Sequence, residues 1–525
     1  MTNSRSVVWL AVATGDTKPA ACTRGIAERR EPKQGKMDSG ESERPDSTVD
    51  VGELATQRGP GPGKRDVTSN NRCWELRRVL RNLNNVSTKQ HRIAELAKRS
   101  PELVFTSLAH LIDLEWLLEA YRRTRKDGAV GVDGQTAVDY EANLSANLQS
   151  LLDRVQSGSY RAPPVRRVQI PKGNSSETRP IGIPTFEDKL LQRAVLMLLE
   201  PIYEQDFCDC SYGFRPGRSA HQAIAATWKH TMDLRGGFVL EVDLRKFFDT
   251  LDHGHLRTFL RRRVRDGVLL RLIGKWLNAG VMDSGNVSYP DRGSPQGGVV
   301  SPLLANAYLH YVLDEWFHRD VLPRVRGRAH LVRYADDAVI VFEVESDARR
   351  VLTVLGKRCS KYGLTIHPEK TRLVDFRRPL LSPNKSGSAP GRQATFDLLG
   401  FTHYWSRSRS GRRVVKRKTM SSRLTRSVQS IDRWCRAHRH DRLVDQHAVL
   451  CQKIRGHDAY YGITGNGESL KKFRFLVHRT WRRWLSRRHR KRKLDWDKFN
   501  RLLESFPLPP LRVVHSVVRP REANV

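Results

Sequence analysis

Two adjacent acidic residues between two apolar stretches constrain the fold of this chain more than any other feature. The segment from Leu331 to Phe342 reads LVRYADDAVIVF, with β-forming apolar residues on both sides of the acids. This pattern predicts a β-hairpin with Asp336 and Asp337 at its tip. Neighbouring carboxylates repel each other, so a turn between two core strands rarely contains such a pair unless a cation lies nearby. The segment therefore predicts two buried strands that present both carboxylates to a cation.

A second acidic residue of this kind follows another apolar strand upstream. Phe238 to Val242 reads FVLEV, which predicts a buried strand, and Asp243 comes directly after it. A carboxylate leaving a core strand costs free energy unless it meets a cation or hydrogen-bond donors. Taken alone, Asp243 fits equally well as the cap of the following helix. The irregular alternation of strands and helices along the chain favours an α+β fold over a doubly wound sheet.

The three carboxylates together indicate a magnesium site. Mg²⁺ prefers carboxylate oxygens and keeps water and substrate phosphates as its other ligands. Two such ions, held close together, activate an attacking hydroxyl and stabilise a leaving pyrophosphate. That chemistry needs carboxylates from separate strands at one point of a sheet. Asp243, Asp336 and Asp337 are therefore the candidate catalytic and metal-binding residues, with two Mg²⁺ ions as the cofactor.

The charge of the chain indicates a polyanionic partner. Lysine and arginine number 93 against 56 aspartates and glutamates, which gives a net charge of +37 over 525 residues. The basic residues are spread along the chain and interleaved with aromatics, which favours nucleic acid over a merely solvated basic surface. No apolar run approaches the ~18 residues of a membrane span, so we expect no membrane partner. Seven cysteines form no CxxC pair and are typical of reduced thiols in a cytosolic protein.

Cysteine and histidine residues with zinc-like spacing occur near residues 435–451. Helical phase scatters these side chains and arginines surround them, so we expect no zinc there, and none elsewhere in the chain. Cys208 and Cys210 form an isolated CxC pair, for which the sequence favours packing. Residues 1–70 are rich in glycine, proline, serine and charge, which predicts a disordered N-terminal extension. The sequence leaves open whether translation begins at Met1 or Met37.

Eight segments resemble, in identity and order, the polymerase blocks of reverse transcriptases encoded by bacterial group II introns. In chain order they are GVDG at 131–134, RPIGIPTFEDKLLQRAV at 179–195, YGFRPGRSAHQAI at 212–224, the Asp243 strand, GSPQGGVVSPLLAN at 293–306, the YADD hairpin, GLTIHPEKT at 363–371 and LLGFTHYW at 398–405. The resemblance extends over about residues 75 to 520. It implies a right-hand polymerase with fingers, palm and thumb, followed by a helical maturase, or X, domain. It also implies RNA-directed DNA polymerase activity with an RNA template, a DNA primer or target and deoxynucleotides.

The resemblance also implies roles for individual residues around the nucleotide. Arg179 is expected to contact the incoming triphosphate, for which a guanidinium is well suited. Phe248 is expected to block a ribose 2′-hydroxyl, although the residue pattern alone is equally compatible with a core position. Gln296 and Gly297 are expected beside the substrate. Lys370 resembles the lysine that helps to protonate the leaving pyrophosphate, and a solvated helix-end lysine is the alternative. Gly400 and Phe401 resemble the loop that holds the primer terminus.

The C-terminal part indicates intron RNA as a further partner. Residues 455–473 resemble the maturase domain, with its Tyr460-Tyr461-Gly462 signature. Residues 471–493 contain twelve basic residues, no acidic residue, and two tryptophans. Basic helices with interleaved aromatics can hold phosphates while stacking on unpaired bases. The candidate RNA-binding residues are Arg482, Arg483, Arg487, Arg488, Tyr460 and Tyr461.

These observations predict a domain order and a function. We expect the extension at 1–70, fingers and palm at 71–410, a thumb and maturase domain at 411–495, and a tail at 496–525. Many proteins of this family end in a nuclease module that contains cysteines and histidines, and we find no such pattern in the C-terminal residues of this sequence. The resemblance is therefore to the branch of the family that lacks an endonuclease module. The expected function is that of a group II intron reverse transcriptase, acting in the bacterial cytoplasm and associated with the nucleoid through its intron ribonucleoprotein. A splicing maturase with dispensable polymerase activity and a domesticated host-defence enzyme are the alternatives, and the choice between monomer and dimer stays open.

Overall fold

The computed structural model describes residues 85–171, 178–283, 286–289, 292–293, 297–379, 394–408, 410–488 and 494–517. The extension expected at residues 1–70 and the candidate residue Gln296 lie outside this part of the chain. Within it, no helix combines the length and the apolar composition that crossing a membrane requires.

Helices and strands alternate irregularly along the described chain, as the sequence predicts for an α+β fold. The helices are α1 (85–99), α2 (Leu114–Arg123), α3 (Ala137–Glu141), α4 (Leu144–Gln156), α5 (Phe186–Asp206), α6 (Ala220–Asp233), α7 (Phe247–Thr250), α8 (His253–Leu260), α9 (Gly267–Leu277), α10 (Ser301–Leu309), α11 (Glu345–Lys361), α12 (Ser421–Ala437), α13 (Leu443–Tyr461), α14 (Gly467–Ser486) and α15 (Trp496–Ser505). The strands are β1 (Val165–Pro171), β2 (Thr178–Ile183), β3 (Phe238–Val242), β4 (Val281–Asp283), β5 (Asn286–Ser288), β6 (Ala329–Tyr334), β7 (Asp337–Phe342), β8 (Arg372–Asp375), β9 (Phe396–Leu398), β10 (Phe401–Arg407) and β11 (Arg413–Thr419).

The first unit packs helices against the strand pair β1 and β2. These strands are antiparallel, and β4 and β5 extend their sheet in the order β2-β1-β4-β5. The Thr185 side chain caps α5 by accepting a hydrogen bond from the backbone N–H of Asp188. Most of α5 is buried, and the indole of Trp116 on α2 donates a hydrogen bond to the carbonyl of Ala194 on α5, at 2.9 Å. This contact ties two neighbouring helices together through a buried polar group.

The central sheet holds the segments with the acidic motifs. Its order is β6-β7-β3-β8, and neighbouring strands run antiparallel. All five residues of β3 are buried, because one face of the sheet contributes Leu240 and Val242 to one apolar core while the other contributes Val239 to a second core. Burial on both faces explains why four of its five residues are apolar, and the fifth, Glu241, forms an ion pair with Arg372 on β8.

The C-terminal part begins differently from the sequence prediction. The expected boundary at 410/411 falls within the hairpin formed by β10 and β11, which pair from Phe401↔Thr419 to Arg407↔Arg413. The described part of the expected tail is also integrated in the fold. Helix α15 buries Phe499 completely in the core of α12–α14, and Ile463 forms a β-bridge with His515. Apolar side chains therefore attach residues 496–517 to the domain.

Candidate active site and RNA-binding surface

The three predicted catalytic carboxylates lie at one end of the central sheet. Asp243 follows β3, Asp336 lies in the turn between β6 and β7, and Asp337 begins β7. Val242 pairs with Ala338, so the next step of the antiparallel register places Asp243 opposite Asp337. Side chains at opposite positions of antiparallel strands lie about 5 Å apart at Cβ. Asp243 is buried and the other two are half-buried, so substrate and water can approach from the hairpin side.

This set of donors fits magnesium. Three carboxylates supply hard oxygen ligands from two adjacent strand ends, which is the kind of ligand that Mg²⁺ selects. Partial exposure of Asp336 and Asp337 leaves room for the water and phosphate ligands that Mg²⁺ retains.

The backbone of Asp243 is held by the segment that precedes β8. The amide of His367 donates to the carbonyl of Asp243 at 2.8 Å, and the amide of Asp243 donates to the Thr371 hydroxyl at 3.2 Å. Lys370 lies between these two contacts and is half-buried. The structure therefore places Lys370 in the turn that wraps the backbone of a candidate catalytic residue.

A glycine fixes the tip of the acidic hairpin. Ala335 has a φ of 55°, so the turn contains a left-handed residue directly before Asp336. Gly213 lies against this turn, and a Cβ atom at Gly213 would clash with the backbone nitrogen of Ala335. Asn306 on α10 donates to the carbonyl of Gly213 at 2.6 Å. The segment at 212–224 therefore supports the catalytic turn through direct backbone contact, which explains why a glycine is needed there.

Arg333 is a buried residue of the site that the sequence analysis did not identify. Its guanidinium forms an ion pair with Asp314, with Nε to Oδ1 at 2.7 Å and Nη2 to Oδ2 at 2.5 Å. It also donates to the Asn306 side chain at 3.0 Å, the Ala335 carbonyl at 2.9 Å and the Ser211 hydroxyl at 2.7 Å. Burial alone lowers the pKa of Arg333, but the Asp314 carboxylate raises it above its ordinary value. The sequence feature that could have identified Arg333 is a charged residue directly after the apolar residues Leu331 and Val332 of a predicted core strand.

The loop that resembles the nucleotide-binding block approaches β2. Gly297 has a φ of 147°, and a Cβ atom there would clash with the carbonyl oxygen of Gly182 and lie 3.1 Å from the side chain of Ile181. Arg179 lies three residues before Gly182 on the same strand. The candidate residues Arg179 and Gly297 thus belong to backbone segments in direct contact.

The other end of this loop contacts Phe248. Gly293 has a φ of 97°, and a Cβ atom at Gly293 would lie 2.9 Å from the Phe248 carbonyl oxygen. Phe247 and Phe248 are both buried, with ring centroids 5.3 Å apart in an edge-to-face arrangement. Their similar burial means that exposure does not distinguish a substrate-gating aromatic from a core aromatic here.

The candidate primer-binding turn rests on the tyrosine pair of the maturase signature. Gly400 has a φ of 81°, and Phe401 is wholly buried. The Phe401 ring lies 5.4 Å from that of Tyr461 and 5.8 Å from that of Tyr460, and the Tyr460 hydroxyl donates to the Leu399 carbonyl at 2.8 Å. Tyr461 is only 7% exposed. The two rings support the turn at Gly400, and contact of this pair with RNA stays a prediction.

The tryptophans of α14 also differ from the prediction. Trp481 is wholly buried and its indole donates to the Gln446 side chain at 3.0 Å, while Trp484 is 9% exposed. Both belong to the apolar core of the C-terminal helices, so their faces are occupied by protein. Arg482 donates to the Leu494 carbonyl at 2.9 Å, and Arg488 donates to the Arg439 and Asp441 carbonyls. These two arginines of the predicted RNA-binding set bind the protein's own backbone.

The remaining two arginines of that set lie on an exposed basic surface. We call it the α12–α14 arginine surface, and its members are Arg436, Arg439, Arg483 and Arg487, with Asp432 and the edge of Trp484. Arg483 pairs with Asp432, and the Arg487 guanidinium lies 4.9 Å from the Trp484 ring centroid. Four arginines around one carboxylate leave a strong positive charge for phosphate groups.

The zinc-like residues of the C-terminal part do not assemble. Cys435 is buried in the helical core, and the Cys451 thiol lies 3.2 Å from His447, whose ring also contacts the Pro507 carbonyl at 2.9 Å. Among the residues that the structure describes, no group of three metal-ligand atoms forms in this region.

Comparison with known proteins identifies the class of this site. Residues 170–403 match the family model described as "Reverse transcriptase (RNA-dependent DNA polymerase)". This segment contains the three carboxylates, the Gly213 contact and the turn before β10. The chain belongs to the reverse transcriptase family, whose members use divalent metal ions and nucleic-acid substrates. The α+β polymerase fold expected from the sequence is confirmed.

Relatives place the chain more narrowly within that family. Protein YkfC of Escherichia coli (strain K12) is 39% identical over 288 residues, covering 49% of this chain and 75% of that protein. The group II intron-encoded protein LtrA of Lactococcus lactis subsp. cremoris is 36% identical over 220 residues, covering 42% of this chain and 36% of LtrA. The protein named nuclear intron maturase 2, mitochondrial, of Arabidopsis thaliana is 36% identical over 101 residues, covering 19% of this chain and 13% of that protein. The chain is a reverse transcriptase/maturase of the bacterial group II intron type, as expected.

Proposed function

We propose that this protein copies RNA into DNA with Asp243, Asp336 and Asp337 as the residues that hold two Mg²⁺ ions. The observation that carries the proposal is the convergence of the three carboxylates at adjacent strand ends, within the segment that matches the reverse transcriptase family. When bound, Mg²⁺ promotes deprotonation of the attacking 3′-hydroxyl and neutralises charge on the leaving pyrophosphate. The Arg333 and Gly213 contacts keep Asp336 and Asp337 at a constant position relative to Asp243.

The surrounding elements bind and orient the nucleotide. Arg179 on β2 binds triphosphate oxygens, and the Gln296-Gly297 segment lines the substrate beside it. Contact of Gly297 with β2 supports this arrangement, because it brings the two segments together. Phe248 excludes a ribose 2′-hydroxyl from the pocket. Lys370, in the turn that holds the backbone of Asp243, supplies a proton to the leaving pyrophosphate.

The primer terminus binds at the turn formed by Gly400 and Phe401. Gly400 has no side chain and that of Leu399 is buried, so a nucleic-acid backbone can approach this turn closely. Packing of Tyr460 and Tyr461 beneath the turn keeps it rigid. Through this contact the C-terminal domain supports the polymerase part.

Intron RNA binds the α12–α14 arginine surface. This binding assists splicing of the intron and its mobility. Exposure of Arg483 and Arg487, together with Arg436 and Arg439, supports this assignment, since phosphate contacts dominate nucleic-acid affinity. The names of the relatives point to the same partner, because LtrA is a group II intron-encoded protein and another relative is an intron maturase. We expect the complex to act in the bacterial cytoplasm and to associate with the nucleoid through its intron ribonucleoprotein.

Two activities measured on one carboxylate variant test this function. Asp336→Asn should lower extension of a DNA primer on an RNA template by about a thousandfold or more, because the change removes several kcal/mol of metal-dependent transition-state stabilisation. The same variant should still bind and splice intron RNA. Asp375→Asn is the matched control, since Asp375 is an exposed carboxylate at the opposite end of the same sheet.

Either of two results would contradict the proposal. Wild-type extension by Asp336→Asn would exclude the metal-binding role of this carboxylate. Loss of splicing as complete as the loss of extension would show that the two activities share one site.

A further inference from the structure

Two cysteines and a histidine lie together behind the catalytic hairpin, apart from the magnesium-binding carboxylates. Cys208 and Cys210 lie in the loop after α5, and His318 lies in a π-helical segment, Phe317–Val321, more than a hundred residues later. The two thiol sulfurs and a ring nitrogen of His318 all lie within 4.8 Å of one another. We propose that Cys208, Cys210 and His318 bind one Zn²⁺ ion.

The donor set suits zinc and does not suit magnesium. Zinc takes thiolate sulfur at about 2.3 Å and imidazole nitrogen at about 2.0 Å in tetrahedral sites, so neighbouring ligand atoms are less than about 4 Å apart. Three atoms already within 4.8 Å reach that geometry through small side-chain rotations. Thiolates are soft ligands that magnesium avoids, so this ion is distinct from the catalytic ions at Asp243 and Asp337.

The second nitrogen of His318 is held in the manner of a metal ligand. Nδ1 of His318 lies 2.8 Å from the backbone carbonyl of Asp314. A proton on Nδ1, donated to this carbonyl, leaves the lone pair of Nε2 available for a metal ion. Metal-binding histidines commonly carry such a hydrogen bond, which fixes the tautomer and orients the ring.

The cysteine loop is already shaped to present both sulfurs. The amide of Ser211 donates to the Cys208 carbonyl at 3.1 Å, closing a tight turn, and Arg215 donates to the same carbonyl at 2.9 Å. Within this turn the two sulfurs lie within 4.8 Å of each other. Cys210 is buried, Cys208 is half-buried and His318 is exposed, so the site opens on one side to solvent. That opening admits the ion and leaves the fourth coordination position to water.

The ion would connect two elements that flank the Arg333–Asp314 pair. The amide of Arg333 donates to the Cys210 carbonyl at 2.8 Å, and His318 contacts the carbonyl of Asp314. Coordination therefore ties the loop on one side of the ion pair to the helical segment on the other side. The ion, held by three protein ligands and one water, stabilises the support of the catalytic hairpin. It does not depend on the proposed polymerase activity.

Metal analysis of the purified full-length chain tests the site. Protein prepared under reducing conditions from zinc-supplemented cells, and washed with a weak chelator, should retain about one zinc per chain. Cys210→Ser and His318→Ala should reduce bound zinc to background. Cys359→Ser is the matched control, because Cys359 is a buried thiol on α11 outside the cluster, and this variant should keep its zinc. Equal zinc in the wild type and the cluster variants would overturn the proposal, as would a wild type without zinc.

Three further measurements distinguish a metal site from a thiol pair. Cobalt added to the metal-free wild type should produce thiolate-to-cobalt charge-transfer absorption, and Cys208→Ser with Cys210→Ser should abolish it. Chelation should lower the melting temperature of the wild type and leave that of the double variant unchanged. Counting thiols in denatured, unreduced protein should find all seven cysteines free. A loss of two thiols that Cys208→Ser with Cys210→Ser prevents would identify a disulfide and exclude the zinc site.

Discussion

The guanidinium of Arg333 and the carboxylate of Asp314 form a bidentate ion pair in which neither side chain is exposed to solvent. Arg333 lies three residues before Asp336, and one of its further hydrogen bonds, to the carbonyl of Ala335, holds the turn itself. An exposed pair could not fix a position in this way, because water competes for both groups. The turn that carries the candidate catalytic residue Asp336 is thus held by a charge pair in the protein interior.

Removal of one partner of this pair should be strongly destabilising. Arg333→Met or Asp314→Leu leaves the other charge buried and unpaired, which costs about 3–5 kcal/mol of the free energy of unfolding. The double variant should be clearly more stable than either single variant, because neither charge then remains buried. Chemical unfolding measures the difference. Arg349→Ala serves as the control, since its pair with Glu345 is exposed and should contribute at most about 1 kcal/mol.

A milder change in the same network should affect catalysis more than stability. Ser211→Ala removes one hydrogen bond to Arg333 and should cost about 1 kcal/mol of stability. Because Arg333 is then oriented by one hydrogen bond fewer, kcat of primer extension should fall while the KM for nucleotide changes little. An unchanged kcat would show that the Arg333 network acts on stability alone.

Gly213→Ala should impair primer extension. Its added Cβ meets the backbone of Ala335, so the turn that carries Asp336 must shift. The control is Gly356→Ala, a glycine within α11 with open space around its Cβ position. That change should leave activity intact and stabilise the helix by up to about 1 kcal/mol. Equal activity of the two variants would contradict the close approach of Gly213 to the turn.

Phe248→Ala should change sugar selection. Loss of the ring removes the steric barrier to a 2′-hydroxyl, so incorporation of ribonucleotides relative to deoxyribonucleotides should rise by about tenfold or more. Phe247→Ala is the matched control, because it removes an adjacent ring with the same burial. Primer extension with mixed nucleotides measures the ratio. If the two variants give the same ratio, Phe248 is a core residue and not a gate.

The four arginines in the last turns of α14 and directly after it should separate into two functional groups. Arg483→Ala with Arg487→Ala should weaken intron RNA binding and lower the log–log salt slope by roughly one unit for each phosphate that is no longer neutralised, with little change in melting temperature. Arg482→Ala with Arg488→Ala should instead lower the melting temperature, because these side chains donate to backbone carbonyls. Arg349→Ala with Lys357→Ala removes equal charge from α11 and controls for net charge. A uniform loss of RNA affinity in all three pairs would show that only total charge matters.

Local patterns in the sequence were sufficient for the strands and acids of the active site. Because β3 is buried on both faces, its residues are mostly apolar. Asp243, which follows this apolar stretch, can be recognised from the sequence alone. The same holds for the acidic turn between β6 and β7, since strand periodicity and turn position depend on neighbouring residues. The proximity of Asp243 and Asp337 could also be anticipated, because one residue follows β3 and the other begins β7, and both strands belong to one sheet.

Only the tertiary structure decided which side chains face solvent, the nucleic acid or each other. Periodicity marks α14 as basic and aromatic, but the packing of α12, α13 and α15 determines that Trp481 is buried and Arg487 is exposed. The same is true of Tyr461, because its surroundings depend on where β10 lies. Arg333 meets Asp314, and Cys210 meets His318, across separations that no local pattern encodes. Secondary structure follows from short-range preferences of the backbone, whereas burial and pairing depend on how distant segments pack.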